Sequence, residues 1–176
     1  HLTPAEAELI RRHPITADER GSTPPPVGPI FCAPKYAPMD GIVFTFQGAS
    51  AWQFILRQMA ARITNEGNAK VYAVVISQAH RNAIFTYLQA GGANMARVEF
   101  VIASSDSIWV RDYGPRYIYE GGVRAIVDHI YNRPRPNDDL VPFAVGAYKG
   151  HNVYELPLVH GGGNFHLSGA DGPAGI

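Results

Sequence analysis

The chain alternates between short apolar runs and segments whose apolar residues recur at helical spacing. Apolar runs at 42–46, 71–76 and 98–103 indicate three buried strands. The segment 50–64 between the first two carries apolar residues every three or four positions, as a helix does. A second helix is predicted between Ser77, a good N-cap, and the Gly91-Gly92 stop. This succession of strands and helices predicts an α/β fold.

The N-terminal region departs from this alternation. Thr3, Pro4 and Glu6 stand at the spacing of a capping box with proline at the first helical position, so a short helix is predicted for 3–12. Residues 13–38 are rich in proline and predict an extended arm that is neither strand nor helix. We therefore expect a helix and arm at 1–38, followed by a domain at 39–176.

The second half of the chain predicts smaller elements joined by turns. Two short strands, 116–119 and 123–128, flank Glu120-Gly121-Gly122 and indicate a hairpin. A helix at 141–148 and a strand at 153–158 follow. The terminal segment 168–176 has no packing pattern, and we expect an exposed loop at which a longer polypeptide stops or is cut.

Composition and charge exclude several classes of protein. The 176 residues include fifteen basic and fifteen acidic side chains and no polybasic run, so binding to nucleic-acid phosphates is not expected. No apolar stretch approaches the roughly 20 residues that span a bilayer, so no membrane segment is expected. Cys32 is the single cysteine and cannot form an intrachain disulfide. The cysteine content therefore does not indicate whether the protein works in an oxidising or a reducing compartment.

The densest group of chemically useful side chains is the segment 105–116, most of which belongs to a polar loop predicted for 104–115 after the third strand. Such strand ends commonly carry ligand-binding groups in α/β proteins. Arg111 and Asp112 are adjacent, so an extended backbone would point them apart, one toward a pocket and one into the fold. A buried Arg/Asp network that staples the strand end is the alternative.

A second candidate segment, 131–139, carries two arginines separated by one proline. In extended geometry Arg133 and Arg135 project to the same side, where two guanidinium forks would bind a carboxylate or phosphate. Alternatively, they pair with Asp138 and Asp139 and make the loop rigid.

A third candidate segment is 159–165. Its glycines, Gly161 to Gly163, permit close backbone approach to a ligand, or simply a sharp turn. His160 and His166 lack cysteine or carboxylate partners at metal-site spacing, so no metal site is predicted.

These segments occur in the order found in a known enzyme family. The chain resembles the bacterial, Porphyromonas-type peptidylarginine deiminases, and their agmatine deiminase relatives, over about 32–165. The resemblance is carried by 33–43 (APKYAPMDGIV), 106–115 (DSIWVRDYGP), 131–136 (YNRPRP) and 161–164 (GGGN). It implies the β/α propeller, or pentein, fold of the guanidine-modifying superfamily, with about half of the propeller in this chain. Residues 39–176 would then be the N-terminal part of the deiminase catalytic domain.

The resemblance also implies roles for individual residues. Asp112 would be the catalytic carboxylate that grips the substrate guanidinium, and Trp109 would form an apolar wall against its plane. Arg133 and Arg135 would receive the carboxylate of a C-terminal arginine in a peptide substrate, and Asn164 would lie near the site. The activity implied is hydrolysis of arginine to citrulline with release of ammonia, without a metal or organic cofactor.

The thiol nucleophile and catalytic histidine of the family are expected further along the polypeptide. Cys32 lies in the proline-rich arm, and we expect a small, partly buried thiol there. Three explanations stay open for the lack of these residues in this sequence. The chain is completed by a second polypeptide that carries the C-terminal half, or it is a fragment, or it is a degenerate homologue without catalytic activity. An extracellular or periplasmic location is expected, with the cytoplasm as the alternative.

Two other functions stay open. One is a non-catalytic module that binds arginine peptides. The other is a deiminase of free arginine or of agmatine, the latter serving putrescine biosynthesis; agmatine has no carboxylate for the two arginines.

Overall fold

The structure is a computed structural model that describes residues 2–16, 23–34 and 36–166. It divides into two compact units, one of residues 38–110 and one of residues 1–37 with 111–176. The helices and strands are α1 (Pro4–Arg12), β1 (Ile30–Phe31), β2 (Gly41–Thr45), α2 (Ser50–Asn65), β3 (Lys70–Val75), α3 (Gln78–Ala90), β4 (Val98–Ile102), α4 (Val110–Tyr113), β5 (Arg116–Glu120), β6 (Val123–Tyr131), α5 (Val141–Lys149) and β7 (Asn152–His160).

The unit of residues 38–110 is a parallel sheet in the order β2-β3-β4, with α2 and α3 as the crossovers between strands. Residues 71–75 of the central strand are all buried, as expected for a parallel strand covered by helices. Phe44, Phe46, Ile84 and Leu88 complete the core. The strands and helices predicted for this part of the chain are confirmed.

The other unit contains a mixed sheet in the order β1-β5-β6-β7. The hairpin β5-β6 is confirmed, and its turn uses Gly121 and Gly122 at φ values of 55° and 87°, where glycine is not strained. Helix α5 precedes β7, which pairs parallel to β6. A register shift between His129 and Ile130 interrupts that pairing, as a β-bulge does.

Helix α1 begins as predicted. The Thr3 hydroxyl accepts a hydrogen bond from Glu6 N, and the Glu6 carboxylate accepts one from Thr3 N, which is a capping box. No side chain of α1 is buried. The arm that follows is not wholly free of strand structure, because Ile30 and Phe31 pair antiparallel with the end of β5. The prediction of an arm without strands was wrong at these two residues.

The two sheets confirm the α/β class. Within the described residues both sheets are open, so the propeller arrangement stays a prediction. Across the same residues no helix combines the length and apolar character that crossing a membrane requires.

Candidate active site

Asp112 lies on α4, a single helical turn between the loop after β4 and the start of β5. The segment was predicted to be a loop, and an extended backbone was expected to separate Arg111 from Asp112. That prediction was wrong, since both residues are helical. Tyr113 anchors the turn: it is 1% exposed, and its ring lies 5.4 Å from that of Tyr131 on β6. The buried Tyr113 therefore fixes the position of its half-buried neighbour Asp112.

Three groups hold Asp112 by hydrogen bonds. Gly163 N donates to Asp112 Oδ1 at 3.0 Å, and the Tyr131 hydroxyl donates to Oδ2 at 3.5 Å. His129 Nε2 lies 3.0 Å from the Asp112 backbone oxygen, and because a carbonyl can only accept, Nε2 must carry the proton. Each carboxylate oxygen can accept a second hydrogen bond, and no other donor of the described residues takes it, so Asp112 keeps one accepting position per oxygen for a bidentate ligand.

The glycine run packs against this turn. A side chain on Gly162 would collide with Arg116 Nη2 and would come within 2.7 Å of the Asp112 backbone oxygen. A Cβ on Gly163 would lie 2.7 Å from Asp112 Oδ1. The glycines therefore permit a close approach of the backbone to Asp112, and the approach to a ligand that was expected of them stays a prediction. Asn164 is exposed and donates from its backbone N to Gly161 O, which closes the 3₁₀ turn that presents Gly163 N.

Two arginines contact Phe165, the residue that follows the 3₁₀ turn of Gly162–Asn164. Arg111 Nη2 donates to Phe165 O at 3.0 Å, and the Arg116 guanidinium lies 4.5 Å from the centre of the Phe165 ring. Burial and the charge of Arg111 lower the pKa of Arg116, which Asp112 partly counters. Arg111 therefore stabilises the fold through its contact with Phe165, while the Asp112 carboxylate can accept hydrogen bonds from a ligand.

The arginine loop does not have the extended geometry that was predicted. Arg135 N donates to Arg133 O at 2.8 Å, so the chain turns at Pro134. Arg133 Nη1 donates to Asn132 O at 3.2 Å. Arg135 Nε donates to Glu6 Oε1 on α1 at 2.7 Å, and Arg135 Nη1 lies 3.5 Å from the Tyr131 hydroxyl.

The partner of Arg135 is thus Glu6, which neither interpretation of this loop anticipated. Asp139 accepts a hydrogen bond from Tyr131 N, and the charge of Asp138 helps to raise the pKa of Arg135. Burial would raise the pKa of Glu6, but the hydrogen bonds from Thr3 and Arg135 outweigh it, so this pKa lies below its ordinary value. Burial would lower the pKa of Arg135, and the Glu6 carboxylate more than restores it, so the pair is ionised.

Tyr131 connects the two predicted ligand-binding groups. Its hydroxyl lies 3.5 Å from both Asp112 Oδ2 and Arg135 Nη1. Burial and the charge of Asp112 raise the pKa of Tyr131 to about 12, against a smaller opposing effect of the arginines. The hydroxyl is therefore protonated at neutral pH and available as a donor to Asp112.

Trp109 belongs to the unit of residues 38–110, where its ring lies 5.6 Å from that of Trp52 and is 40% exposed. Its predicted role as a wall for the guanidinium stays a prediction. Cys32 is half-buried, and burial raises its pKa, which disfavours the reactive thiolate. Among the described residues no cluster of side chains suits a metal ion; His160 stacks on His129 at 3.9 Å instead.

The sequence profile of the Porphyromonas-type peptidyl-arginine deiminases matches residues 38–172, about three-quarters of the chain. The chain belongs to this family. The match confirms the resemblance first recognised in the motifs around Asp112 and Arg133. By its description, this is a family of peptidyl-arginine deiminases.

Solved structures of similar proteins share the fold. An agmatine deiminase from C. jejuni is 17% identical, with a TM-score of 0.58 over 76% of this chain and 41% of its own. A candidate arginine deiminase from Porphyromonas gingivalis is 17% identical, with a TM-score of 0.61 over 76% of this chain and 42% of its own. A candidate agmatine deiminase reaches 0.68 at 20% identity, over 80% and 43%. The chain spans about four-tenths of the length of these structures.

Four residues of the site were not assigned from the sequence: Glu6, His129, Tyr131 and Gly163. Tyr131 adjoins the arginine motif and Gly163 lies in the glycine run, so motif position was an available signal for both. His129 follows an ordinary strand pattern, and only the bulge beside it marks it as unusual. Glu6 is fully explained at sequence level by its capping box, which hid its contact with Arg135.

Proposed function

We propose that this chain supplies the guanidinium-binding carboxylate of a deiminase that converts arginine to citrulline. The observation that carries the proposal is the setting of Asp112. Among the described residues, a backbone N–H and a tyrosine hydroxyl each bind one of its oxygens, which leaves one accepting position per oxygen. Two parallel acceptors match the two parallel N–H donors of a guanidinium.

The chemistry explains why such a carboxylate is needed. A guanidinium is cationic at all physiological pH values and its carbon is a poor electrophile. A fixed carboxylate orients that carbon for attack and holds the cation in place. A thiolate from polypeptide beyond this chain attacks the carbon, the C–N bond breaks, and the nitrogen leaves as ammonia. Water then displaces the thiol and leaves the ureido group, so one water is consumed for each ammonia released.

Arg133 and Arg135 support a substrate with a free carboxylate, the C-terminal arginine of a peptide. Both are partly buried, and Arg135 lies within two hydrogen-bond lengths of Asp112 through the Tyr131 hydroxyl. A guanidinium fork recognises a carboxylate bidentately, which gives direction as well as charge. In this proposal the loop selects peptidyl arginine, and Asn164 adds a contact at the site.

A second candidate substrate is agmatine, and one observation favours it. Glu6 already pairs with Arg135, so one of the two positive charges intended for a carboxylate is neutralised. A substrate without a carboxylate does not need the charge of Arg135, so it loses no binding energy when Glu6 neutralises that residue. In either case the catalytic thiol and histidine come from the remainder of the polypeptide or from a second chain.

The test is Asp112→Asn, with Asp106→Asn as the control. Asparagine at position 112 keeps the size of the side chain but offers an N–H₂ group where a guanidinium needs an oxygen. Affinity for a peptide that ends in arginine, measured by calorimetry on the protein at its natural length, should fall by about 10- to 100-fold, the worth of a charge-assisted hydrogen bond. Asp106 lies on an exposed part of the preceding loop, and its replacement should leave affinity unchanged.

Ureido formation from the same peptide and from agmatine separates the remaining possibilities. Turnover of the peptide over agmatine supports the peptidylarginine substrate, and the reverse supports agmatine. Binding that depends on Asp112 without any turnover indicates a binding module. Equal affinity of Asp112→Asn and the parent protein refutes the assigned role.

A further inference from the structure

Glu6 contacts the arginine that the proposed function assigns to the substrate carboxylate. The contact joins a helix at the start of the chain to a loop far along it, at 2.7 Å between Glu6 Oε1 and Arg135 Nε. The two side chains are 18% and 13% exposed, so the pair is partly shielded from water. A carboxylate therefore already lies where Arg135 would receive one from a ligand.

The geometry of this contact leaves room for exchange. Glu6 divides its carboxylate between two donors, because Oε2 accepts from Thr3 N at 2.8 Å while Oε1 accepts from Arg135. Glu6 thus binds Arg135 through one oxygen. A ligand carboxylate that binds no second donor can present both oxygens to the guanidinium of Arg135, and this bidentate arrangement is the stronger one.

The helix that carries Glu6 is lightly attached. No side chain of α1 is buried, its Leu9 is 47% exposed, and Leu2, which lies just before the helix, is 38% exposed. The capping box and the pairs of Glu8 with Arg11 and Arg12 are contacts within the helix and its cap, and they survive its movement. Breaking the Glu6 contact therefore costs little apolar burial.

We propose that Glu6 is an internal carboxylate ligand of Arg135 which a ligand carboxylate must displace, so that α1 sets the preference between ligands with and without a free carboxylate. The inference rests on the proposed function, because it needs Arg135 to receive the carboxylate. With Glu6 in place Arg135 is neutralised, and a ligand such as agmatine or an arginine amide is not disfavoured. With Glu6 displaced, Arg135 is a free cation and a C-terminal arginine is favoured.

The experiment compares two ligands, N-acetyl-arginine and N-acetyl-arginine amide, which differ only in the carboxylate. Their dissociation constants are measured by calorimetry for the parent protein at its natural length and for Glu6→Gln, Glu8→Gln and Arg135→Gln. Glutamine at position 6 removes the charge and still completes a capping box. Glu8→Gln is the matched control, because Glu8 lies on the same helix and pairs with Arg11 and Arg12.

The expected result is a change in the ratio of the two constants. Glu6→Gln should tighten binding of the acid about fivefold, the scale of one partly exposed ion pair, and leave the amide unchanged. Glu8→Gln should leave both constants unchanged, and Arg135→Gln should weaken binding of the acid without changing that of the amide. Amide hydrogen exchange of residues 4–12 should quicken when the acid binds and stay unchanged with the amide.

The two ways of failing are distinct. If neither ligand binds, or if Asp112→Asn leaves binding intact, the proposed function itself is wrong. If both ligands bind in a way that depends on Asp112, and Glu6→Gln leaves their ratio unchanged or weakens the acid, then Glu6 is a structural support of Arg135 and the inference is overturned. Unchanged exchange of α1 with the acid overturns it as well.

Discussion

The three consecutive glycines beside Asp112 offer a test in which neighbouring positions should differ sharply. Each is changed to alanine in turn. None of the three has a positive φ, so an added Cβ introduces no backbone strain, and its effect is decided by the atoms that it meets. A glycine-to-alanine change in open space should stabilise the protein slightly, by about 0.4–1 kcal/mol, since it restricts the unfolded chain.

Gly162→Ala should be the damaging change. Its Cβ would meet Arg116 Nη2, and it would also come to 2.7 Å from the Asp112 backbone oxygen and 2.9 Å from that of Arg111. The arginine side chain can move, but the two carbonyls belong to α4 and cannot yield without shifting Asp112. Overpacking of this kind costs about 1–3 kcal/mol. That cost lowers the melting temperature by about 2–4 °C per kcal/mol in a chain of this size.

The neighbouring glycines provide the controls. The three atoms nearest to a Cβ on Gly161 all belong to the Asn132 side chain, the closest at 3.2 Å, and this side chain can shift slightly, so Gly161→Ala should be close to neutral. A Cβ on Gly163 meets Asp112 Oδ1 at 2.7 Å, and the carboxylate can rotate away, so Gly163→Ala should spare stability and weaken guanidinium binding. Thermal melts and calorimetric titration of the three variants measure these effects. Equal melting temperatures for Gly161→Ala and Gly162→Ala would refute the packing of the glycine turn against α4.

Two predictions concern pH. Because the pKa of Tyr131 is raised to about 12 in the folded state, its contribution to the free energy of unfolding should be fully present below pH 10 and be lost between about pH 10 and 12. In denaturant titrations Tyr131→Phe should remove this loss, which is at most about 3 kcal/mol over that range. The control Tyr36→Phe, on an exposed ring, should leave the loss as it is in the parent protein. The pKa of Glu6 is lowered in the folded state. Its contribution to the free energy of unfolding should therefore be present above its ordinary pKa and disappear as the pH falls through its pKa in the folded state. Glu6→Gln should then lose part of the acid-limb slope, and an acid limb identical to that of the parent would contradict the Glu6–Arg135 pair.

Elements defined by neighbouring residues could be predicted from the sequence. The capping box of Thr3 and Glu6 specifies the start of α1 because both partners lie within one turn. Gly121 and Gly122 specify the hairpin because the turn needs positive φ. Helix α4 was missed, because four residues are too few to show a helical period.

The arginine loop was predicted only in part, for a related reason. The expectation that Arg133 and Arg135 share a face assumed extended backbone, and a turn at Pro134 replaces it. The motif still identified the residues that matter, since Arg135 lies within reach of the Tyr131 hydroxyl that also contacts Asp112.

The sequence by itself determined the α/β class, the membership of the deiminase family and Asp112 as the first candidate, since periodicity and motif strings are local properties of the chain. Only the tertiary structure decided what surrounds Asp112 and Arg135. Gly163 is 51 residues from Asp112, and Glu6 is 129 residues from Arg135. Contacts at such separation depend on how sheets and loops pack, and the same side chains satisfy every local rule whichever distant partner they meet.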